Sequence, residues 1–205
     1  MKKLLSLIVL ATAPIVAAEN GAMTDAERAY LLDQLETSKK NFLASIEGVS
    51  AAQWKFKPAP NVWSVAECAE HIVLAEDFLF GFSQQLLKAP AAERLENANA
   101  EGDHKLVAAI EDRSHKATAP EPITPSGKFT SPADAISAFT EKRDRHIAYV
   151  KETTDDLRAH SAKGPLGPMD GYQVLLLVSA HSARHTAQIQ EVQANPGYPK
   201  ESASR

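Results

Sequence analysis

The stretch "GYQVLLLVSAHSARHTAQIQEV", Gly171 to Val192, decides the fold class. Val174, Leu177, Val178, His181, His185, Gln188 and Val192 recur at helical spacing and share one face. The segment therefore reads as a helix from about Tyr172 to Ala194, stopped by the "NPG" that follows. His181 and His185 continue the apolar stripe one turn apart, so they point inward. Two inward imidazoles at this spacing can turn their Nε2 atoms toward one metal ion. By themselves they fit a pair of hydrogen-bonded core histidines equally well.

Upstream, the same periodicity recurs in three more segments. The first runs from about Thr24 to Val49, opened by a capping box of Thr24 and Glu27 and striped by Leu31, Leu35, Phe42, Ile46 and Val49. The proline-bearing link "KFKPAPNVW" breaks it. A second box, Ser64 and Glu67, then opens a helix that carries Val65, Cys68, Ile72, Ala75, Leu79, Phe82 and Leu86 to about Lys88. From Ala89 to Thr130, Pro90, Pro120, Pro122, Pro125 and Gly127 interrupt all but one short helix around "KLVAAIEDR", which makes this a long crossover. "SPADAISAFTEKRDRHIAYVKETTDDLRAH" begins with Ser131 as cap and Pro132 at the first helical position. Its inner face is Ile136, Phe139, Ile147, Val150 and Leu157. The link "SAKGPLGPMDG" leads to the last helix, and no strand signal exceeds a few residues. The pattern predicts an all-α four-helix bundle with a long crossover connection between helices 2 and 3.

Composition bounds the partners. A chain of 205 residues supports one domain with its own core. A net charge of −4 without a basic run excludes nucleic acid as the expected partner. The first eighteen residues, "MKKLLSLIVLATAPIVAA", pass from basic to apolar to small and read as a secretory signal peptide cut between Ala18 and Glu19. Residues 19–205 then form the exported domain, periplasmic or secreted. The apolar run is short for a span of about 20 residues, so no stable membrane anchor is expected after cleavage. Cys68 is the single cysteine, which precludes an intramolecular disulfide. Three residues before His71, it reads either as a reactive thiol or soft ligand, or as a small buried apolar residue.

A third inward histidine joins the pair. His71 lies on the second helix close to the line of Ser64, Cys68, Ala75 and Phe82. Three histidines from two helices suffice for an open metal site. Of the other four, His104 and His115 fall in the crossover, His146 beside the third stripe and His160 at that helix's end. These read as structural or solvated, with His104 or His115 the candidates to close over the metal as an extra ligand.

The pieces "NVWSVAECAEHI", "PSGKFTSPADAISAFTEKR" and "GYQVLLLVSAHSARHTAQIQEV", in this order and spacing, resemble the DinB-like proteins over nearly the whole mature chain. The resemblance implies one metal-binding histidine from the second helix and two from the fourth, which here are His71, His181 and His185. It implies a divalent transition metal, zinc, nickel or iron, and an activity such as transfer of small thiols of the bacillithiol or mycothiol type.

Three neutral imidazoles leave positions for water and substrate, so such a metal can activate a water or thiol, or polarise a carbonyl. Glu67, one turn before His71, and Gln188, three residues after His185, are candidates to orient a ligand or handle a proton. Glu67 serves equally as the capping-box acid, and Gln188 as a buried amide between helices. Export sets the chain apart from thiol-transfer relatives, because small-thiol cofactors are chiefly cytosolic. Two functions follow. One is a metal-dependent enzyme, a hydrolase or thiol-type transferase acting on an unidentified small molecule. The other is a non-catalytic metal- or ligand-binding module whose metal is structural. Apolar helix faces left over after bundling allow a homodimer.

Overall fold

The structure is a computed structural model that describes residues 21–164 and 166–200. The expected signal peptide, residues 1–18, lies outside the described residues. Six helices follow one another among those residues: α1 (Asp25–Ile46), α2 (Ala51–Lys55), α3 (Val65–Leu86), α4 (Ala100–Glu111), α5 (Pro132–Glu152) and α6 (Gly171–Gln193). A small hairpin, β1 (Ser161–Gly164) and β2 (Gly167–Asp170), leads into α6.

The long helices α1, α3, α5 and α6 form the bundle. α1 and α3 each pack against both α5 and α6, so α1 lies diagonal to α3. Two apolar clusters give the directions. One gathers Leu31 and Leu35 of α1, Leu79 and Leu86 of α3, Ile147 and Val150 of α5, and Val174 to Val178 of α6. The other gathers Phe42 and Ile46, then Val65 to Val73, then Ala135 and Phe139, and finally Ile189 and Val192. The start of α1 thus meets the ends of α3 and α5 and the start of α6. α3 and α5 therefore run in the same direction. After α3 the chain must travel back along a helix of 22 residues, about 33 Å, before α5 can begin. That return is the physical reason for the long crossover, and α4 forms part of it.

Between the two clusters lies a polar waist drawn from all four bundle helices. Arg143 of α5, fully buried, uses all five of its N–H donors. They reach both oxygens of Glu76, the Leu35 carbonyl, Ser38 Oγ and Ser182 Oγ, at 2.5 to 2.9 Å. His146 Nδ1 stands 3.1 Å from Glu76 Oε2, and its ring stacks on Phe80 at 4.1 Å. Burial alone would raise the Glu76 carboxyl, but the Arg143 charge and hydrogen bonds, with His146, hold it down to about 2. A second buried cation, Arg158, ties together the end of the bundle where α1 and α6 begin, through Glu27, Asp103 and Asp170. Neither network shows in the hydrophobic periodicity, which registers only apolar positions.

Local chemistry explains where the helix ends differ from the sequence expectation. α1 stops at Ile46, short of Val49, because Gly48 takes φ +74° and Ser50 with Gln53 forms a capping box that opens α2. α5 stops at Glu152, well before His160. Thr153 Oγ1 accepts from the Asp155 amide and Asp156 Oδ1 from the Ala159 amide, so side chains replace the helical acceptors. Leu157 still reaches the core, but from a short 3₁₀ turn. The link before α6 is a hairpin whose last residue, Asp170, makes a capping box with Gln173. The boxes at Thr24 and Ser64, and the Ser131–Pro132 start, stand where the sequence places them.

Candidate metal centre

The capping box at Ser64 starts α3 and sets its phase, so that Val65, Cys68, Ala69 and Ile72 face the core while His71 turns toward α6. On α6, His181 and His185 lie one turn apart along the edge of the same interface. The three histidines converge: each offers a ring nitrogen, and these atoms all lie within 4.8 Å of one another. Nε2 of His71 is 3.1 Å from Nε2 of His181. Two ligands in a tetrahedral zinc site, at Zn–N of about 2.0–2.1 Å, stand about 3.3 Å apart. His71 is buried, whereas His181 and His185 are partly exposed.

The tautomers are set from outside the triad. His71 Nδ1–H donates to the Ile123 carbonyl at 2.6 Å, which leaves the Nε2 lone pair facing the centre. His185 Nδ1–H donates to Gln188 Oε1 at 2.8 Å with the same result. His181 Nδ1 is buried without a hydrogen-bond partner among the described residues. Trp63, 4.9 Å from the His71 ring and 6.1 Å from that of His185, walls the site with an aromatic face.

Residues 34–189 match the family profile of the DinB superfamily, well over half of the chain. The chain belongs to the DinB superfamily. No curated protein and no solved structure was found to match it. The DinB match spans all three histidines. Proteins of this superfamily bind metals, and in this one the triad could hold an ion.

Electrostatics in the DinB centre favour neutral imidazoles. Burial, then the neighbouring His185 and His71, carries His181 well below the usual histidine range. Burial, then His71, lowers His185 to about 3. Burial lowers His71 too, partly opposed by its bond to Ile123. Neutral imidazole is the form that coordinates.

The other residues singled out by the sequence distribute themselves differently in this DinB protein. Gln188 Oε1 accepts from His185 Nδ1–H at 2.8 Å. It also accepts from Arg113 at 3.4 Å, and Arg113 is in turn paired with Glu191. Glu67 orients no ligand. Its carboxylate closes the capping box on the Ser64 amide and pairs with Lys57 at 2.7 Å. Burial pushes the Cys68 thiol up to about 12, the behaviour of a small apolar side chain and not of a reactive thiolate. His104 packs edge-on against Tyr30 of α1, and His115 joins the bundle through its carbonyl, which accepts from Arg184. Among the described residues, neither joins the triad in a group able to hold a metal. His146 belongs to the polar waist, and His160 follows the 3₁₀ turn.

The crossover contributes what sequence reading missed. The Ile123 carbonyl leaves no trace in a side-chain pattern. Glu70, next to His71 and buried, accepts from the amides of Ser126, Gly127 and Lys128 at 2.8 to 2.9 Å. Arg184 donates to the carbonyls of Ile110, Asp112 and His115. The one available signal was Glu70 itself, a charge on the buried face of an amphipathic helix.

Proposed function

We propose that His71, His181 and His185 hold one divalent transition metal, zinc, nickel or iron. On this reading the protein is an exported metal-dependent enzyme, a hydrolase or thiol-type transferase acting on a small molecule. The carrying observation is the convergence of three ring nitrogens, with the Nδ1 atoms of His71 and His185 engaged elsewhere and the His181 and His185 side chains partly exposed. When bound, the metal supplies Lewis-acid activation of a water or thiol, or polarisation of a carbonyl. The chain orients the ligands through Ile123 and Gln188 and sets the Trp63 ring beside His71. The α3 carboxylates are committed elsewhere: Glu67 to Lys57, Glu70 to the crossover and Glu76 to Arg143. Export rests on the basic, apolar and small-residue order of residues 1–18.

Cobalt substitution tests the reading. The Co(II) protein should show a visible d–d spectrum that shifts on adding azide or a small thiol, because an open position admits them. A bound ion whose spectrum ignores both would instead support a structural metal in a binding module. A wild-type protein that retains no zinc, nickel, iron or cobalt would remove the proposal altogether.

A further inference from the structure

The crossover lies against α3 at two consecutive residues. His71 Nδ1–H reaches the Ile123 carbonyl, and Glu70, one residue earlier, captures the turn that follows. Its Oε1 accepts from Ser126 N at 2.8 Å and Ser126 Oγ at 3.0 Å, and its Oε2 from Gly127 N at 2.8 Å and Lys128 N at 2.9 Å. Consecutive amides can converge on one carboxylate because Gly127 takes φ +86°, forming an anion-binding nest. A Cβ on Gly127 would meet nothing within 4 Å, so the glycine is required for its dihedral and not for space.

Glu70 is only 2% exposed, and its described partners are neutral donors. A carboxylate at a core position costs free energy that an apolar residue would not. The helix gains nothing from it, since all four bonds leave α3 for the crossover. Pro122 and Pro125 fix their own φ on either side of Ile123, and Pro125 also restricts Thr124. Beyond the nest, the Phe129 carbonyl accepts from Trp54 Nε1 at 3.2 Å. The segment is thus pinned on both sides of the nest, with one carbonyl aimed at His71.

We propose that Glu70 is a positioning residue for the metal centre. It anchors the 123–128 segment so that the Ile123 carbonyl holds the proton on His71 Nδ1 and keeps Nε2 free for coordination. The inference rests on the metal reading for its purpose, but the tautomer of His71 exists in the metal-free protein and can be measured there. Loss of such an outer partner typically lowers metal affinity by about 10–100-fold.

The test uses the full-length protein and zinc as the probe. In wild type without metal, long-range ¹⁵N–¹H correlation should show His71 protonated on Nδ1 alone, with that proton slow to exchange. Glu70→Ala should mix the tautomers and speed the exchange. Competition with a chromogenic chelator should show zinc affinity lower by about 10-fold or more. Glu70→Gln, which keeps one acceptor oxygen, should recover part of both. Ser83→Ala is the control for stability alone, because Ser83 Oγ bonds the Gly171 carbonyl at the other end of the bundle. It should leave the His71 tautomer and zinc affinity unchanged. If Glu70→Ala does not fold, Gly127→Ala must show the same two shifts, since it disturbs the nest only through φ. An unchanged His71 tautomer in the folded variant overturns the proposal. A wild type that binds no zinc overturns the metal reading, while the tautomer measurement still decides the role of Glu70.

Discussion

Nε2 of His71 and Nε2 of His181 stand 3.1 Å apart across the α3–α6 interface, although 110 residues separate them in the chain. Because Ile123 keeps the His71 proton on Nδ1, its Nε2 presents a lone pair to its neighbour. Without metal, His181 can satisfy that lone pair only by carrying its own proton on Nε2. Coordination of one ion by both nitrogens requires that proton to move to Nδ1, which has no protein partner among the described residues. The two histidines are therefore coupled through whatever lies between them.

Replacing His185 with Ala should reduce metal content severely, because it removes a ligand held in place by Gln188. His160→Ala should leave metal content unchanged, since His160 lies beyond the 3₁₀ turn and outside the triad. Elemental analysis of the two variants purified side by side measures this, and equal stoichiometry would refute the assignment.

Acid should weaken the metal-free protein through the same residues. His185, His181 and His71 have folded pKa values below the free value of about 6.5. The unfolded chain therefore binds more protons in that window, and stability rises with pH there. Their contribution is fully present above about pH 6.5 and is lost as pH falls toward the folded values, about 3 for His185. The melting temperature of the chelated protein should fall between pH 7 and 5, while the buried Glu76 carboxylate is still ionised. His185→Gln should flatten that slope, and an unaltered slope would argue against it. Metal affinity should decline at lower pH than free imidazole would predict.

Chelation at neutral pH should leave the helices standing. The two apolar clusters are complete without an ion, and burying each large apolar side chain contributes roughly 1.5–3 kcal/mol. Far-ultraviolet circular dichroism before and after a chelator checks this. Collapse to a coil would make the metal a structural staple, as in small zinc-dependent domains.

Arg143→Ala should be among the most damaging single substitutions. It would leave Glu76, 1% exposed, as an unpaired buried carboxylate, a loss of about 3–5 kcal/mol. Denaturant titration should show the drop. Replacing Arg143 and Glu76 together by Met and Leu should cost much less, because the isolated charge is then gone. A double variant as unstable as the single one would contradict this account.

The exported form should begin at Glu19, as the order of residue types from Met1 to Ala18 implies. N-terminal sequencing of protein recovered outside the cytoplasm decides it. An intact Met1 on soluble cytoplasmic protein would refute export.

The sequence by itself determined the four long helices, most of their caps and the inward placement of His71, His181 and His185. Caps and stripes are local: Thr24 with Glu27, or His181 with His185, are separated by one turn, and helix geometry alone brings them together. Only the tertiary structure decided what surrounds the triad. The Ile123 carbonyl, the Glu70 nest and the four partner residues of Arg143 join positions 39 to 108 residues apart. Those pairings depend on α3 and α5 running the same way and on the path by which the crossover returns. Likewise Glu67 was drawn to Lys57 and its own cap, a choice set by which groups came within hydrogen-bond reach once α2 folded back on α3. Periodicity records which residues avoid water, but hydrogen-bond partners between distant segments are fixed only when packing brings donor and acceptor together.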